Sequence, residues 1–324
     1  MNDPSSYRGR RVVVLGLAKS GVSAATALHR LGADVVVNDR KPREQSPEAE
    51  QLEALGIPVI CGHHPDDLID EDTALLVKNP GIPYSAPPVV RAEAAGVEIV
   101  TEVELAYRLS RAPILGITGS NGKTTTTTWT GALLSAAGIR PLIAGNIGRP
   151  MIEAALEAEP DDWLVTELSS FQLKGTTDFR PAVAVVLNLA ETHLDYHGTM
   201  DDYVASKAKL LVNQRPEDTA VLNWDDPRCR ELAALTPARL LSFSLTEELA
   251  AGVFVRPPYP AQPAARPDTS RRVIVCRDAA GREDELLEVG ELGVPGRHNA
   301  ANALAAVAAA VAAGAAPARL AQPL

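Results

Sequence analysis

Residues 116–127 read GITGSNGKTTTT and follow an apolar run that predicts a buried strand. Glycines let a backbone curl closely around an anion, and the free amides at a helix start attract negative charge. A lysine in such a loop reaches terminal phosphates, and a neighbouring hydroxyl binds Mg²⁺. The stretch therefore predicts a phosphate-binding loop in which Lys123 contacts phosphate and Thr124 contacts the metal. Ile117 stands where the usual GxxxxGK[ST] pattern has its first glycine, so a solvated turn that caps a helix is the alternative.

A second glycine loop, GLAKSG at residues 16–21, lies near the N-terminus. Asp39 follows about twenty residues after it, as an acidic residue does in dinucleotide-binding units. Ala18 replaces the middle glycine of the strict GxGxxG pattern. The loop predicts a nucleotide diphosphate at the helix start with a ribose or base near Asp39, and the alternative is a turn that only packs strand on helix. Two such sites in succession indicate an enzyme that uses ATP on a nucleotide-bearing substrate.

Two polar residues follow later strands that the apolar pattern predicts. Glu167 ends the strand in DWLVTEL, and His193 comes just past the strand in AVAVVLNLA. In open α/β sheets the ligand crevice lies at these carboxyl ends. Both side chains are therefore predicted near a Mg²⁺ at the phosphate loop, although each residue taken singly could equally be a helix cap or a satisfied polar group.

The segment DDYVASKAKLL predicts a helix with lysines at positions 207 and 209. The default role of a helix lysine is to solvate an exposed face. Helical periodicity does not choose between Lys207 and Lys209 as a site residue.

The elements that would position these residues form two successive α/β patterns. Residues 11–39 predict a strand, a glycine turn, a helix beginning near Ser20 and a second strand ending at Asp39. Further strands are predicted at 58–61, 74–77 and 97–100. A doubly wound parallel sheet with a boundary near Arg111 follows from this alternation.

The second pattern has apolar strands in APILGIT, RPLIAGN, DWLVTEL, AVAVVLNLA and DTAVLN. After Trp224 the sequence predicts a proline-rich loop over 256–272, short strands in RVIVCRD and ELLEVGEL, and an alanine-rich helix in HNAANALAAVAAAVAAGA. No repeat of solenoid length is present in the sequence.

Composition restricts the function class. The 324 residues are enough for two or more domains, and 46% hydrophobic with 4% aromatic content is typical of a soluble α/β protein. A net charge of −10 argues against a nucleic-acid partner. Cys61, Cys229 and Cys276 show no paired spacing, which favours a reducing compartment. Neither a signal peptide nor a membrane helix is predicted, so we expect a cytoplasmic protein without a membrane partner.

Nine motifs, in order along nearly the whole chain, resemble the Mur ligases, and among them the group that adds D-glutamate. They are GLAKSG, NDR, NPGIP, GITGSNGKTT, GNIG, ELSSFQL, LNLAETHLD, YVASKAK and GRHNAANALAA. ELSSFQL with GNIG is the specific part, because the phosphate loop alone would also fit other Mur ligases and the folylpolyglutamate synthetases. The resemblance implies a Rossmann-like UDP-substrate domain at 1–111, a P-loop-type α/β ATP-binding domain at 112–314, and the start of a linker at 315–324.

The resemblance also implies roles for individual residues. The catalytic set is Lys123, Glu167, His193 and Lys207. ATP would be bound by Gly119, Ser120, Asn121, Gly122, Lys123, Thr124, Thr125, Asn299 and Asn302. UDP-substrate contacts would come from Lys19, Ser20, Asp39, Arg40, Asn146, Ser169 and Gln172. One Mg²⁺ would bind Thr124 and Glu167, and a second would bind His193 and a carbamylated lysine that aligns with Lys207.

The resemblance implies a reaction that uses ATP to join D-glutamate to UDP-N-acetylmuramoyl-L-alanine through an acyl phosphate. Family members carry a third, C-terminal domain that supplies much of the D-glutamate site, and only PARLAQPL follows the alanine-rich helix here. The expectation is therefore a chain that lacks this domain, folds, binds UDP-substrate or ATP weakly and does not turn over. The rival interpretations are another Mur-type or folylpolyglutamate ligase and a non-catalytic nucleotide-binding module.

Overall fold

The structure, a computed structural model, describes residues 4–260 and 270–320. Its helices are α1 Lys19–Arg30, α2 Glu48–Ala54, α3 Pro87–Ala94, α4 Glu102–Leu109, α5 Lys123–Ala136, α6 Met151–Glu157, α7 Ser170–Lys174, α8 Leu194–His197, α9 Met200–Ala208, α10 Pro227–Leu232 and α11 Arg297–Ala312. Its strands are β1 Arg11–Leu15, β2 Asp34–Asp39, β3 Val59–Cys61, β4 Thr73–Lys78, β5 Glu98–Val100, β6 Ile114–Thr118, β7 Pro141–Gly145, β8 Trp163–Glu167, β9 Val183–Val186, β10 Thr219–Asn223, β11 Arg239–Ser244, β12 Gly252–Arg256, β13 Val273–Arg277 and β14 Glu283–Glu288.

The chain forms two compact units. Unit 1 comprises Met1–Arg111, Gly148–Ala158 and Ser170–Phe179. Unit 2 comprises Ala112–Ile147, Glu159–Ser169 and Arg180–Leu324. Helices α6 and α7 thus follow strands of unit 2 in sequence but belong to unit 1. The predicted division at residues 111 and 314 stays a prediction.

Unit 1 is built on a parallel sheet with the order β3-β2-β1-β4-β5 among the described residues. The predicted strands at 58–61, 74–77 and 97–100 are confirmed as β3, β4 and β5, and the helix predicted near Ser20 begins at Lys19. Because the strand order reverses beside β1, the carboxyl ends of β1, β2 and β4 surround a crevice where ligands bind in sheets of this kind.

The core of unit 1 follows from continuous apolar strands. Val12, Val13, Val14 and Leu15 are fully buried in β1. A run with no polar alternation indicates a strand covered on both faces, as the central strand of a doubly wound sheet must be. The predicted doubly wound α/β architecture is confirmed.

Unit 2 contains a mixed sheet with the order β14-β13-β12-β11-β10-β9-β6-β8-β7 within residues 112–260 and 270–320. Neighbours from β7 to β12 are parallel, and β13 and β14 are antiparallel at one edge. The strands predicted from APILGIT to DTAVLN are confirmed as β6 to β10, and RVIVCRD forms β13.

The sequence patterns did not predict β11 and β12. β11 begins with two exposed residues, Arg239 and Leu240, so its apolar run is broken, and β12 starts at a glycine that packs against the Ser242 carbonyl of β11. The predicted strand in ELLEVGEL is displaced: β14 ends at Glu288, where a short 3₁₀ helix begins. Pairing with β10 defines β11, whereas the apolar run at residues 253–255 in β12 is itself typical of a strand.

The predicted alanine-rich helix is α11, and it packs on α5 and on strands β9 to β12. Residues 302–310 of α11 are all buried, since small side chains allow close approach on every face. The five threonines after Lys123 are helical despite their weak propensity, because Thr126, Thr127 and Thr130 are buried against the core of unit 2.

The three cysteines are free, and Cys229 and Cys276 are buried. None of the helices within the described ranges 4–260 and 270–320 is long and apolar enough to cross a bilayer. Of the predicted proline-rich loop, residues 261–269 lie outside the described residues, as do residues 321–324 of the segment 315–324.

Candidate functional site

The predicted phosphate loop connects β6 to α5, with helix geometry starting at Lys123. Gly122 has φ +85°, a conformation that favours glycine. A Cβ on Gly122 would lie 2.1 Å from Asn302 Oδ1, so the glycine is also required for the close approach of α11. The loop is therefore fixed by local conformation and by tertiary contact.

Asn188, which follows β9, holds the middle of this loop. Its Oδ1 accepts from the Asn121 amide at 2.9 Å, and its Nδ2 donates to the Asn121 carbonyl at 3.1 Å. The Asn188 carbonyl accepts from the Ser120 amide at 2.9 Å. Ser120 Oγ in turn accepts from the Ala190 amide at 2.9 Å and lies 2.8 Å from Tyr203 Oη. The loop is thus attached to the carboxyl end of its neighbouring strand.

Two lysines converge on one carbonyl of the loop. Lys123 Nζ donates to the Gly119 carbonyl at 3.0 Å and to the Ser120 carbonyl at 3.1 Å. Lys207 Nζ donates to the same Gly119 carbonyl at 2.9 Å and to Thr118 Oγ1 at 3.1 Å. The Lys123 ammonium, at the first residue of α5, creates a local attraction for polyphosphate in a chain of net charge −10.

Lys207 is buried, with 2% of its surface exposed. Burial and the nearby Lys123 ammonium lower the pKa of Lys207 to about 7, although Glu167 acts in the opposite direction. Lys209 ends α9 as its C-cap and is half-buried. The structure therefore brings Lys207 to the loop. Burial also lowers the pKa of Lys123.

Thr124 and Glu167 meet at the other side of the loop. Thr124 Oγ1 donates to Glu167 Oε2 at 2.7 Å, and Asn146 Nδ2 donates to Glu167 Oε1 at 2.7 Å. The Asn146 amide also donates to the Glu167 carbonyl at 2.9 Å. Gly145 permits this contact, because a Cβ there would lie 2.3 Å from that carbonyl. Asn146, predicted as a substrate contact, is therefore also a partner of the predicted metal ligand.

His193 lies at the N-cap of α8 and has φ +57°, a left-handed conformation that is uncommon outside glycine. Its ring centroid is 6.5 Å from that of Tyr203. Tyr203 also contacts Lys207, whose Nζ lies 4.9 Å from the Tyr203 ring centroid. His193 and Lys207 thus both adjoin Tyr203, a residue for which the sequence alone predicts no role.

The oxygen atoms of Glu167 and Thr124 fit a Mg²⁺ ion, which prefers carboxylate and hydroxyl oxygen and takes further ligands from phosphate and water. Clusters of three or more His, Cys, Asp or Glu side chains that could hold a metal without such help are not found in the described parts of the chain. Lys207 as an ammonium has no lone pair, so it fits a second cation only in carbamylated form.

A cavity of about 270 Å³ opens beside the loop. It is lined by Asn121, Gly122, Thr125, Leu187, Asn188, Asn223, Phe243, His298, Asn299, Ala301 and Asn302. The two asparagines predicted near adenine, Asn299 and Asn302, are among them, and Asn302 Nδ2 donates to Asn299 Oδ1 at 3.3 Å. The cavity joins the predicted phosphate and adenine residues in one space.

Unit 1 has a larger cavity of about 670 Å³ at the carboxyl ends of its strands. It is lined by Leu15, Gly16, Ala18, Asn38, Asp39, Arg40, Lys41, His64, Asn79, Gly81, Ile82, Pro83, Ser85, Ala86 and Pro87. A Cβ on Gly21 would lie 2.0 Å from the Gly16 carbonyl, so this glycine is needed to close the loop onto α1. The predicted substrate residues Lys19 and Ser20 begin α1, and Asn79 Nδ2 donates to Ser20 Oγ at 3.2 Å.

Asp39 has a structural role in addition to its place in this cavity. Its Oδ2 accepts from the Leu17 amide and its Oδ1 from the Lys41 amide, each at 2.8 Å. The carboxylate thereby ties the glycine loop to the end of β2. Arg40 is exposed at the cavity edge.

The two remaining predicted substrate residues lie in different units. Ser169 follows β8 in unit 2 and is half-buried. Gln172 is buried in α7 of unit 1, where its carbonyl accepts from Thr101 Oγ1 at 2.8 Å.

Several site residues were missed by sequence reasoning. Asn188 could have been found, because it stands at the carboxyl end of a predicted strand next to the loop. Asn223 stands in the same way at the end of β10. Phe243 had no signal, because its strand β11 was itself not predicted. His64 follows the short strand β3, with nothing in its local sequence to mark it.

Family models match most of the chain. The Mur ligase middle domain matches residues 117–310, and the N-terminal domain of the MurD-like Mur ligases matches residues 10–101. Similar curated proteins are the UDP-N-acetylmuramoylalanine–D-glutamate ligases of Geobacillus sp. (strain WCH70), 49% identical over 92% of this chain and 62% of the relative, and of Enterococcus hirae, 49% identical over 90% of this chain and 59% of the relative. The chain thus spans about three fifths of the length of these curated relatives.

Among solved structures, the chain is similar to the UDP-N-acetylmuramate:L-alanyl-gamma-D-glutamyl-meso-diaminopimelate ligase from Neisseria meningitides, with a TM-score of 0.63, 20% identity and 97% of both chains covered. The UDP-N-acetylmuramate-alanine ligase from Thermotoga maritima gives a TM-score of 0.53 at 22% identity, over 97% of this chain and 68% of that one. Because the sequence identities are only 20% and 22%, these similarities show a shared fold and nothing further. The family models, together with the sequence identity to the curated relatives, show that this chain belongs to the Mur ligase family.

Proposed function

We propose that this chain carries the ATP site and the UDP-substrate site of a ligase that joins D-glutamate to UDP-N-acetylmuramoyl-L-alanine. The observation that carries the proposal is the convergence of Lys123 and Lys207 on the Gly119 carbonyl, beside the Thr124–Glu167 pair. A cationic lysine, a buried lysine with a lowered pKa, a glycine loop and a carboxylate–hydroxyl pair match the needs of phosphoryl transfer.

The proposed reaction activates a carboxylate, which is a poor electrophile. A carboxylate oxygen of the L-alanine residue attacks the γ-phosphorus of ATP, and the bond to the β,γ-bridging oxygen breaks to release ADP. The amine of D-glutamate then attacks the acyl carbon of the resulting acyl phosphate. The carbon–oxygen bond to phosphate breaks, the amine loses a proton, and an amide and inorganic phosphate remain.

The first step brings two anions together, and the proposed role of Lys123 is to offset that repulsion. Lys123 lies at the N-terminus of α5, where the helix dipole adds to its positive charge. Its contacts with the Gly119 and Ser120 carbonyls hold the ammonium over the loop. Mg²⁺ held by Thr124 and Glu167 would supply further charge neutralisation on the phosphate oxygens. Asn146 would orient Glu167 through its contact with Oε1.

Lys207 has a different proposed role. Carbamylation requires a neutral amine, and burial beside Lys123 favours the neutral form of Lys207. The lone pair of the neutral amine forms a bond to the carbon of CO₂, one C=O π bond opens to place negative charge on oxygen, and the nitrogen releases one proton, which leaves an anionic, carboxylate-like group. That group, together with His193, would hold a second Mg²⁺, and the change would avoid a third positive centre at the loop.

The cavity of unit 1 is the proposed site of the UDP group, with the diphosphate at residues 16–21 and the nucleoside near Asp39 and Arg40. Lys19 and Ser20 are the proposed diphosphate contacts, and Ser169 and Gln172 are proposed contacts of the sugar-peptide part. A reaction that consumes ATP and a UDP-linked sugar would take place in the cytoplasm.

Calorimetric titration tests this function. UDP-N-acetylmuramoyl-L-alanine and UDP-N-acetylmuramate are each titrated into the chain with Mg²⁺ and a non-hydrolysable ATP analogue. The proposal expects at least tenfold tighter binding of the alanine-bearing compound. Equal binding of the two would favour another Mur-type ligase, and binding of the ATP analogue alone would favour a non-catalytic nucleotide-binding module. Binding of a folate, with no binding of either UDP compound, would favour a folylpolyglutamate ligase.

A further inference from the structure

The amide of Asn38 is oriented by its neighbours. Asn38 is fully buried near the end of β2, and its Nδ2 donates to the Ile60 carbonyl at 2.9 Å and the His63 carbonyl at 2.8 Å. Only the nitrogen of an amide group can donate to two carbonyl oxygens. The Oδ1 atom of Asn38 is therefore the one that lies 2.5 Å from His64 Nδ1.

This orientation determines the tautomer of His64. Because Asn38 Oδ1 can only accept, the hydrogen must be on His64 Nδ1. Burial, with the nearby Arg40, Arg91 and His63, lowers the pKa of His64, while Asp39 acts in the opposite direction. A neutral ring that donates from Nδ1 carries a lone pair on Nε2. Within residues 4–260 and 270–320, no protein group is hydrogen-bonded to Nε2.

His64 lines the unit 1 cavity at the end formed by β2 and β3. Asp39, the last residue of β2, pairs in register with Cys61 of β3, and His64 follows three residues after Cys61. Gly16 and Ala18 line the cavity near α1, where a diphosphate would lie. In sheets with this order the nucleoside extends from β1 over the end of β2, which is the side of His64.

We propose that His64 Nε2 accepts a hydrogen bond from the nucleoside of a nucleoside diphosphate bound in this cavity, and that His64 is thereby a specificity-determining residue. The proposal rests on the proposed UDP site. Two nucleoside donors have the required chemistry: the N3–H of uracil and a ribose hydroxyl. Cytosine presents an acceptor at N3, so a fixed acceptor on the protein would reject cytosine and accept uracil.

The test is calorimetric titration of UDP, CDP and 2′-deoxy-UDP into the full chain and into His64→Phe, which keeps an aromatic ring but has no acceptor. His63→Phe is the matched control, because His63 is exposed and takes part in the network through its carbonyl. We expect His64→Phe to weaken UDP binding about tenfold and His63→Phe to leave it unchanged. Thermal unfolding of each variant checks that the fold is retained.

The nucleotides distinguish the donors. If the donor is N3–H, CDP binds the native chain about tenfold more weakly than UDP, and His64→Phe removes the difference. If the donor is the ribose 2′-hydroxyl, 2′-deoxy-UDP binds the native chain about tenfold more weakly than UDP, and His64→Phe removes that difference. Protonation of His64 adds a hydrogen at Nε2, and the pKa of His64 is lowered from 6.5, so UDP affinity should fall as the pH goes below 6.5. The fall should be larger in the native chain than in His64→Phe, because the terminal phosphate of UDP takes up a proton in both cases.

Two negative results have separate meanings. UDP binding that is equally tight in the native chain and in folded His64→Phe overturns the role of His64 and leaves the UDP site intact. Absence of UDP binding to the native chain overturns the proposed UDP site and the role of His64 with it.

Discussion

Thr124 Oγ1 donates a hydrogen bond of 2.7 Å to Glu167 Oε2, which joins the first turn of α5 to the carboxyl end of β8. Both atoms are hard oxygen ligands, and both lie next to the loop that Lys123 and Lys207 contact. The pair connects the two features that the sequence predicted separately, a phosphate loop and an acidic strand end.

Thr124→Val should separate metal-dependent from metal-independent nucleotide binding. The substitution keeps the side-chain shape and removes the hydroxyl, so we expect Mg²⁺-ATP to bind about tenfold more weakly, with no change when the metal is chelated. Thr128→Val is the matched control, since Thr128 is exposed on the same helix and its hydroxyl contacts only the Thr124 carbonyl among the described residues. Calorimetry provides the affinities. An equal loss in Thr128→Val would assign the effect to the helix and not to the metal.

Lys207 should be the carbamylated lysine. Its pKa of about 7 makes the neutral amine the major form at pH 8, and CO₂ reacts only with that form. After equilibration with ¹³C-bicarbonate at pH 8, the native chain should show a carbamate carbon resonance that is lost in Lys207→Arg and retained in Lys209→Arg. A resonance that survives in Lys207→Arg would contradict the assignment.

Asn188→Ala should loosen the phosphate loop. It removes two side-chain hydrogen bonds to Asn121, each worth about 1 kcal/mol, in a place where the main chain must meet phosphate. We expect faster hydrogen exchange at the Asn121 amide and roughly tenfold weaker ATP binding. If the hydrogen-exchange rate of the Asn121 amide and the affinity for ATP are both unchanged, the backbone hydrogen bond between Ser120 and Asn188 is sufficient to hold the loop.

Glu102→Gln should change the pH dependence of unit 1 stability. Burial raises the pKa of Glu102 from 4.5 to about 7, so between these values the folded chain binds a proton that the unfolded chain has lost. The free energy of unfolding therefore falls as pH rises from about 4.5 to about 7, by about 3 kcal/mol at most. Glutamine can still accept from the Ile152 amide and does not titrate.

The expected result is that Glu102→Gln is more stable than the native chain at pH 8, by about 2 kcal/mol, and that the gap closes at pH 5. Hydrogen exchange of the β1 amides, corrected for intrinsic rates, reports the stability of unit 1. Glu93→Gln serves as control, because Glu93 is exposed. A gap that is the same at both values of pH would disprove the role of Glu102 ionisation.

The local parts of this fold and site were predictable. Strands β1 to β10 follow from continuous apolar runs, and the phosphate loop follows from glycines and a lysine close together in sequence. Glu167 was predictable because strand ends in parallel sheets share one edge.

The remaining parts depend on contacts between distant segments. The choice between Lys207 and Lys209 is decided by the packing of α9 on the loop, and helical periodicity carries no information about that packing. The tautomer of His64 depends on the register between β2 and β3, which places Asn38 beside it. β11 is stabilised by pairing with β10, and its own residues do not show a clear strand pattern. The apolar run at residues 253–255 of β12 is typical of a strand, so this element could have been predicted from the sequence.

Nucleotide binding at residues 119–125 can be measured by titrating an ATP analogue into the chain in the presence and absence of Mg²⁺. The analogue should bind saturably with Mg²⁺, and Lys123→Met should weaken that binding at least tenfold while thermal unfolding stays unchanged. No saturable binding to the native chain, or equal affinity in folded Lys123→Met, would contradict the claim that residues 119–125 hold the phosphates of a nucleotide.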